Sequence, residues 1–161
     1  MKLVLATQNP KKLKEMNEIL RHLGVEVVSE AELGVRIEVE ETGETFTDNA
    51  RLKATAVMQA TGLPAVADDS GLCVDALNGG PGVYSARFGG EGLDDKGRYT
   101  LLLEMLRGQT DRAAHFHTSI VCAFPNGDEL VCEGECPGTI AFAPMGEGGF
   151  GYDLSLIHIS E

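Results

Sequence analysis

Two adjacent carboxylates, Asp68 and Asp69, are the residues of this chain best suited to chemistry. They sit in Leu63-Pro-Ala-Val-Ala-Asp-Asp-Ser-Gly-Leu-Cys-Val-Asp75. Pro64 opens a short apolar run over residues 65 to 67, and Gly71 breaks it, which predicts a buried strand whose end carries the acids. Neighbouring strand residues point to opposite faces, so the two aspartates cannot do the same job. One can face a cleft while the other braces a loop. Carboxylates at a strand end, beside a glycine that admits a ligand, suit Mg2+. An acidic turn after a strand is the plain alternative.

A second candidate lies near the start. Residues 2 to 6 read as a buried strand, followed by Thr7-Gln-Asn-Pro-Lys-Lys12. A helical pattern then puts Leu13, Met16, Ile19, Leu20 and Leu23 on one face, with Gly24 as its stop. Strand, polar turn and helix place a helix N-terminus beside a strand end, where backbone N–H groups and the dipole favour an anion. Thr7 and Asn9 add donors, and Lys11 or Lys12 adds charge. Without spaced glycines and a Gly-Lys-Ser/Thr ending this is not a Walker loop. An N-cap followed by two solvated lysines accounts for the same residues.

The elements that must position these groups follow from pattern. Residues 25 to 28 alternate as a second strand. Glu38-Val-Glu-Glu41 is an acidic cluster of the kind usually solvated. Thr45 or Thr47 caps a helix running to about Thr61, with Ala50, Ala54, Val57 and Met58 inward and Asn49, Arg51 and Lys53 among its polar positions. The glycine-rich Asn78-Gly-Gly-Pro-Gly82 precedes Arg87, which could reach a phosphate, a base or a surface carboxylate. Leucines 101, 102, 103 and 106 mark a helix from about Asp94 to Gly108. Residues 115 to 124 and 129 to 136 read as strands joined by Pro125-Asn-Gly-Asp128, a strong hairpin signal. His115 and His117 share one face of the first of these. With no third ligand close in sequence they read as a polar strand face rather than a metal pair. In Gly146-Glu-Gly-Gly-Phe-Gly-Tyr-Asp153, Phe150 or Tyr152 could stack on a planar ligand, or the stretch could be an ordinary turn. Helices alternate with strands early and a hairpin comes late, so the chain reads as α/β, a mixed sheet with helices around it.

A length of 161 residues suits one domain, or two lobes sharing a core. The net charge of −12 argues against a nucleic-acid polymer or an anionic membrane as partner, since phosphates would be repelled. No run reaches membrane-spanning length and the first residues lack a signal-peptide core, so a cytoplasmic location is expected. Cys73, Cys122, Cys132 and Cys136 read as buried free thiols in a reducing compartment.

In this order the pieces resemble the inosine triphosphate pyrophosphatase family. The matching motifs are Thr7-x-Asn9-x-x-Lys12, Glu40-Glu-Thr-Gly43, Phe46-x-x-Asn49-Ala50-x-x-Lys53-Ala54, Ala67-Asp-Asp-Ser-Gly71, Pro81-Gly-x-x-Ser-Ala-Arg87 and Gly148-Gly-Phe-Gly-Tyr-Asp153. The resemblance implies hydrolysis of ITP, dITP and XTP to the monophosphate and pyrophosphate with Mg2+. It further implies an elongated mixed sheet flanked by helices, two lobes around a central cleft, and a homodimer. Carried over, Thr7, Gln8, Asn9, Pro10, Lys11 and Lys12 would hold the triphosphate. Glu40 and Asp69 would bind Mg2+, with Asp69 also the general base and Asp68 a further member of the acidic site. Ser70 would touch the substrate, and Phe150, Gly151, Tyr152 and Asp153 would line the base pocket. The agreement covers residues 1 to 153. Beyond it the family continues with a strand, a lysine, a Ser-His-Arg motif and a helix, whereas here His158 precedes Ile159. Residues 154 to 161 are therefore expected to be a non-family tail on a shortened domain. On that reading the alternative function is a catalytically impaired nucleotide-binding or interaction protein.

Overall fold

The computed structural model describes residues 1–7, 10–87, 90, 93–140 and 156–159; for 86, 87, 95 and 156–159 it describes the backbone alone. Its strands and helices are β1 (Lys2–Leu5), α1 (Pro10–Leu20), β2 (Glu26–Ser29), α2 (Phe46–Thr61), β3 (Ala65–Val74), β4 (Gly80–Pro81), α3 (Asp95–Met105), β5 (Ala113–Ala123), β6 (Glu129–Ile140) and β7 (Leu156–Ile159). The strands hydrogen-bond in the order β2-β1-β3-β5-β6-β7, with β4 paired to β3. β1 runs parallel to both β2 and β3, whereas β4 on β3 and β7 on β6 are antiparallel. The sheet is mixed and the fold α/β, as the element pattern indicated. Two compact units divide the chain, one of residues 1–69 with 119–133 and the other of 70–118 with 134–161.

In the first unit, strand alternation sorts side chains onto two faces, each covered by one helix. Leu3, Leu5, Val27, Val66 and Cys122 pack under Leu13, Met16 and Leu20 of α1. On the other face Val4, Val28 and Ala65 meet Val57, while Ala67, Val121 and Ala123 meet Ala50 and Ala54 of α2. The alanines of α2 let the helix lie close to the sheet. Full burial of each valine or leucine contributes about 1.5–3 kcal/mol, so these two layers dominate the unit's stability. Ile19 and Leu23, expected on the α1 core face, are exposed. The chain tightens into a 3-10 turn at Arg21–Leu23, ended by Gly24 at φ 73°, and that change of pitch carries Leu23 off the face.

The second unit is built around Leu72, Val74, Tyr99, Leu102, Leu106, Ala114 and Ile140. Asp94 caps α3 by accepting from the Gly97 N–H at 2.8 Å. Buried Arg112 donates to the Leu106 and Ile140 carbonyls at 2.9 and 3.0 Å, satisfying groups at the end of α3 and on β6.

Gly71 does not break β3, contrary to expectation. The strand continues to Val74 because β4 pairs with Cys73 and Val74, and Ser85 Oγ accepts from the Leu72 N–H at 2.9 Å. The hairpin over residues 125 to 128 forms as read, with the Phe124 N–H bonded to the Asp128 carbonyl at 3.0 Å. Leu156–Ile159, inside the segment expected to be a non-family tail, supplies strand β7. Of the cysteines only Cys122 is buried; Cys132 is exposed because it lies on the solvent-facing part of β6.

Candidate active site

The acids therefore sit within a strand rather than at its end, and the alternation around them decides what each one meets. Asp68 shares the face of Val66, the α1 side. There its Oδ2 takes the Lys12 ammonium at 2.7 Å, in an exposed pair. Asp69 shares the face of Ala67, the α2 side. Its Oδ2 accepts from Asn49 Nδ2 at 3.2 Å. The two adjacent aspartates have separate partners, as strand geometry requires.

Asn49 is completely buried, and its place follows from the start of α2. Thr45 caps the helix by accepting from the Asp48 N–H at 3.0 Å. One residue further on, Asn49 Oδ1 accepts from the Gly43 N–H at 2.7 Å. A Cβ on Gly43 would lie 2.7 Å from that oxygen and 2.6 Å from Asp48 Cβ, so only glycine fits. The amide of Asn49 thus ties the Thr42-Gly43 turn to Asp69. By sequence Asn49 reads as one of the polar positions of the helix. A signal was present, because 49 falls with 46, 50 and 54 on the inward stripe of the helix.

α2 is fastened to its own unit by further polar contacts. Arg51 makes a two-pronged pair with Glu129 at 2.8 and 2.9 Å, and Thr47 Oγ1 donates to Glu133 at 2.7 Å and meets Ser119 Oγ at 2.6 Å. The helix then aims Lys53 at β3, where its ammonium donates to the Asp68 carbonyl at 2.6 Å and lies 3.5 Å from Glu41.

Asp69 is a half-buried carboxylate with a surplus of negative charge around it. Burial pushes its pKa up to about 6; Glu41 pushes in the same direction and Asp68 adds to it, while Lys53 and the Asn49 hydrogen bond oppose. Hard oxygen donors whose mutual repulsion is not fully offset by Lys53 suit a small divalent cation. Among the acidic stretch, Glu41 carries the electrostatic influence on Asp69. Glu40 is exposed, and its carbonyl accepts from the Thr42 N–H at 3.1 Å.

Thr7, at the end of β1, borders two cavities, of about 380 and about 360 Å³. Both also include Glu30. The first continues over Pro10, Leu13 and Arg36; the second reaches Lys53 and Val57. Pro10 occupies the first turn of α1, where a missing N–H costs nothing. Lys11 and Lys12 are exposed, and Lys12 borders a smaller recess of about 180 Å³ with Asp68, Met16 and Ile120.

The family model described as Ham1 matches residues 3–160. The chain belongs to the Ham1 family. A relative from Desulforamulus reducens named dITP/XTP pyrophosphatase is 54% identical over 155 residues, covering 95% of this chain and 77% of that protein. Another of the same name, from Exiguobacterium, is 50% identical over 153 residues, covering 95% and 78%. The solved HAM1 structure from Coxiella burnetii superposes with a TM-score of 0.92 at 44% identity, over 97% of this chain and 81% of that one.

Of the residues expected to act in this Ham1 chain, the structure pairs Lys12 with Asp68 on one face of β3, puts Asp69 on the other, and has Thr7 line both larger cavities. Ser70 follows Asp69 on the same strand and is exposed. Gln8, Asn9, Phe150, Gly151, Tyr152 and Asp153 lie outside the described residues, as does the side chain of Arg87. Asn49, Lys53 and Glu41 join the site although the sequence reading gave them no role in it. Ser85, from the Ser-Ala-Arg motif, is buried and donates to the Gly82 carbonyl at 2.6 Å, which makes it a brace for the loop.

Proposed function

We propose that the chain hydrolyses non-standard purine nucleoside triphosphates (ITP, dITP and XTP) to the monophosphate and pyrophosphate. The observation that carries this reading is Asp69, held on β3 by the buried amide of Asn49 with the Lys53 ammonium beside it. The names of the relatives support the substrate class.

In the proposed reaction, Asp69 takes a proton from a water molecule as its oxygen attacks the α-phosphorus. The bond from that phosphorus to the bridging oxygen breaks, and pyrophosphate leaves. A base whose pKa lies near 6 is ionised at neutral pH yet still basic enough to accept the proton. Asn49 fixes the carboxylate by donating to one oxygen, which leaves the other for the water. Lys53 and Lys12, with Thr7, Gln8, Asn9, Pro10 and Lys11, would bind the triphosphate and stabilise charge on the departing pyrophosphate. Asp69 together with Glu40 and Glu41 would hold Mg2+, which when bound neutralises triphosphate charge. Ser70 would contact the substrate, and Phe150, Gly151, Tyr152 and Asp153 would enclose the base.

A homodimer and a cytoplasmic location belong to the same proposal. No helix among the described residues is long and apolar enough to cross a membrane. The net charge of −12 argues against a nucleic-acid polymer as partner, while local lysines and a metal can still hold one small phosphorylated substrate.

The test is pyrophosphate release from ITP, XTP, ATP and GTP, with and without Mg2+. Metal-dependent release that favours ITP and XTP is expected. A folded chain that releases no pyrophosphate from any of them would refute the proposal.

A further inference from the structure

A second cluster of ligand-bearing side chains lies within the second unit. His115 and His117 stand two apart on β5, facing away from Ala114 and Phe116, which belong to the core. Their sequence neighbours supply no third ligand. The hairpin does, by bringing Glu135 of β6 beside them. Its Oε1 lies 3.1 Å from His117 Nδ1 and 3.8 Å from His115 Nε2. The two rings are edge-on with centroids 6.4 Å apart, and one ligand atom from each of the three residues lies within 4.8 Å of the others.

We propose that His115, His117 and Glu135 form a site for a borderline divalent transition metal ion, of which Zn2+ is the expected occupant. In a tetrahedral site with bonds of about 2.0–2.1 Å, ligand atoms stand about 3.3 Å apart. The observed separations bracket that value, so small side-chain rotations suffice to converge the donors. Two imidazoles and one carboxylate are a donor set for zinc, whereas Mg2+ prefers oxygen ligands and keeps its water. The fourth position is left to water. Both histidines are partly shielded and Glu135 is exposed, so an ion can enter from solvent. All three ligands come from two hydrogen-bonded strands, so the site is preformed and needs no large rearrangement. This site differs in chemistry and in residues from the proposed Mg2+ site at Asp69.

The test uses the full chain, stripped of metal with a chelator, and titrates Zn2+ by calorimetry and Co2+ by visible absorption. One equivalent of Zn2+ is expected, with a Co2+ spectrum of low coordination number. Glu135→Gln and His117→Gln should each weaken Zn2+ binding at least 10-fold, while the thermal midpoint without metal stays within a few degrees of the parent. Asp69→Asn should leave Zn2+ affinity unchanged. Because exposed Cys132 offers a competing thiolate, Cys132→Ser should also leave it unchanged. The proposal is overturned if the parent binds no Zn2+, if His115→Gln/His117→Gln binds it as tightly as the parent, or if Asp69→Asn or Cys132→Ser abolishes binding.

Discussion

Asp68 and Asp69 are adjacent in sequence and chemically identical, yet the two faces of β3 give them different environments. On the α1 face, Asp68 is paired with the Lys12 ammonium at 2.7 Å in a setting open to water. On the α2 face, Asp69 is half-buried, receives one amide hydrogen bond and sits near Glu41. The first has a direct cationic partner on its own face. The second retains unfavourable charge that a cation or a proton would relieve. The environment of each carboxylate is therefore a property of the face rather than of the residue type.

That contrast can be broken or sharpened by substitution. The largest effect on stability is expected from Asn49→Leu, which leaves the Gly43 N–H without its acceptor and Asp69 without its donor. It should lower stability by about 2–3 kcal/mol in a denaturant titration, and depress turnover as well. A variant as stable as the parent would mean that the amide does not organise the site. Gly43→Ala attacks the same link from the other end by forcing a Cβ against Asn49 and Asp48. A loss of about 1–2 kcal/mol is expected, with turnover reduced in step.

The third prediction concerns pH. The Asp69 carboxyl is raised from the ordinary 3.8 to about 6 in the folded chain, so the folded state binds the proton more tightly than the unfolded state. Its contribution to stability is present below about pH 4 and lost as pH rises through 6. Asp69→Asn lacks that loss, so without metal it should become more stable than the parent as pH goes from 4 to 7. Allowing for screening at a half-exposed group, about 1 kcal/mol, or about 2–4 °C in thermal midpoint, is expected at pH 7. Equal midpoints at pH 7 would contradict the buried-charge account. On the other face, Lys12→Ala should shift stability by less than about 0.5 kcal/mol, since exposed pairs are worth little. It should raise the KM for nucleotide several-fold, and an unaltered KM would remove Lys12 from the phosphate site.

Much of this arrangement was legible before any coordinates. The two-residue period of a strand and the inward stripe of α2 sorted the core, and the same period separated Asp68 from Asp69. What escaped depended on contacts between elements. Gly71 reads as a breaker because its neighbours in sequence give no hint that β4 and Ser85 hold the strand straight. Asn49 reads as a polar position of its helix, and the inward stripe on which it falls does not reveal that a turn six residues earlier needs its acceptor. Glu135 could not be joined to His115 and His117 without the register of the hairpin. Helical spacing promised burial for Ile19 and Leu23, but the face of the first unit is filled by Leu13, Met16 and Leu20.

The most direct test is a paired kinetic comparison of Asp68→Asn and Asp69→Asn, measuring pyrophosphate release from XTP at saturating Mg2+. Asp69→Asn should reduce kcat by about 10²–10⁴, the range for removing a general base, in a folded protein. Asp68→Asn should change kcat by less than about 10-fold, the discrimination that a loss of about 1.4 kcal/mol represents. A kcat for Asp69→Asn close to the parent, or a greater loss with Asp68→Asn, would contradict the account.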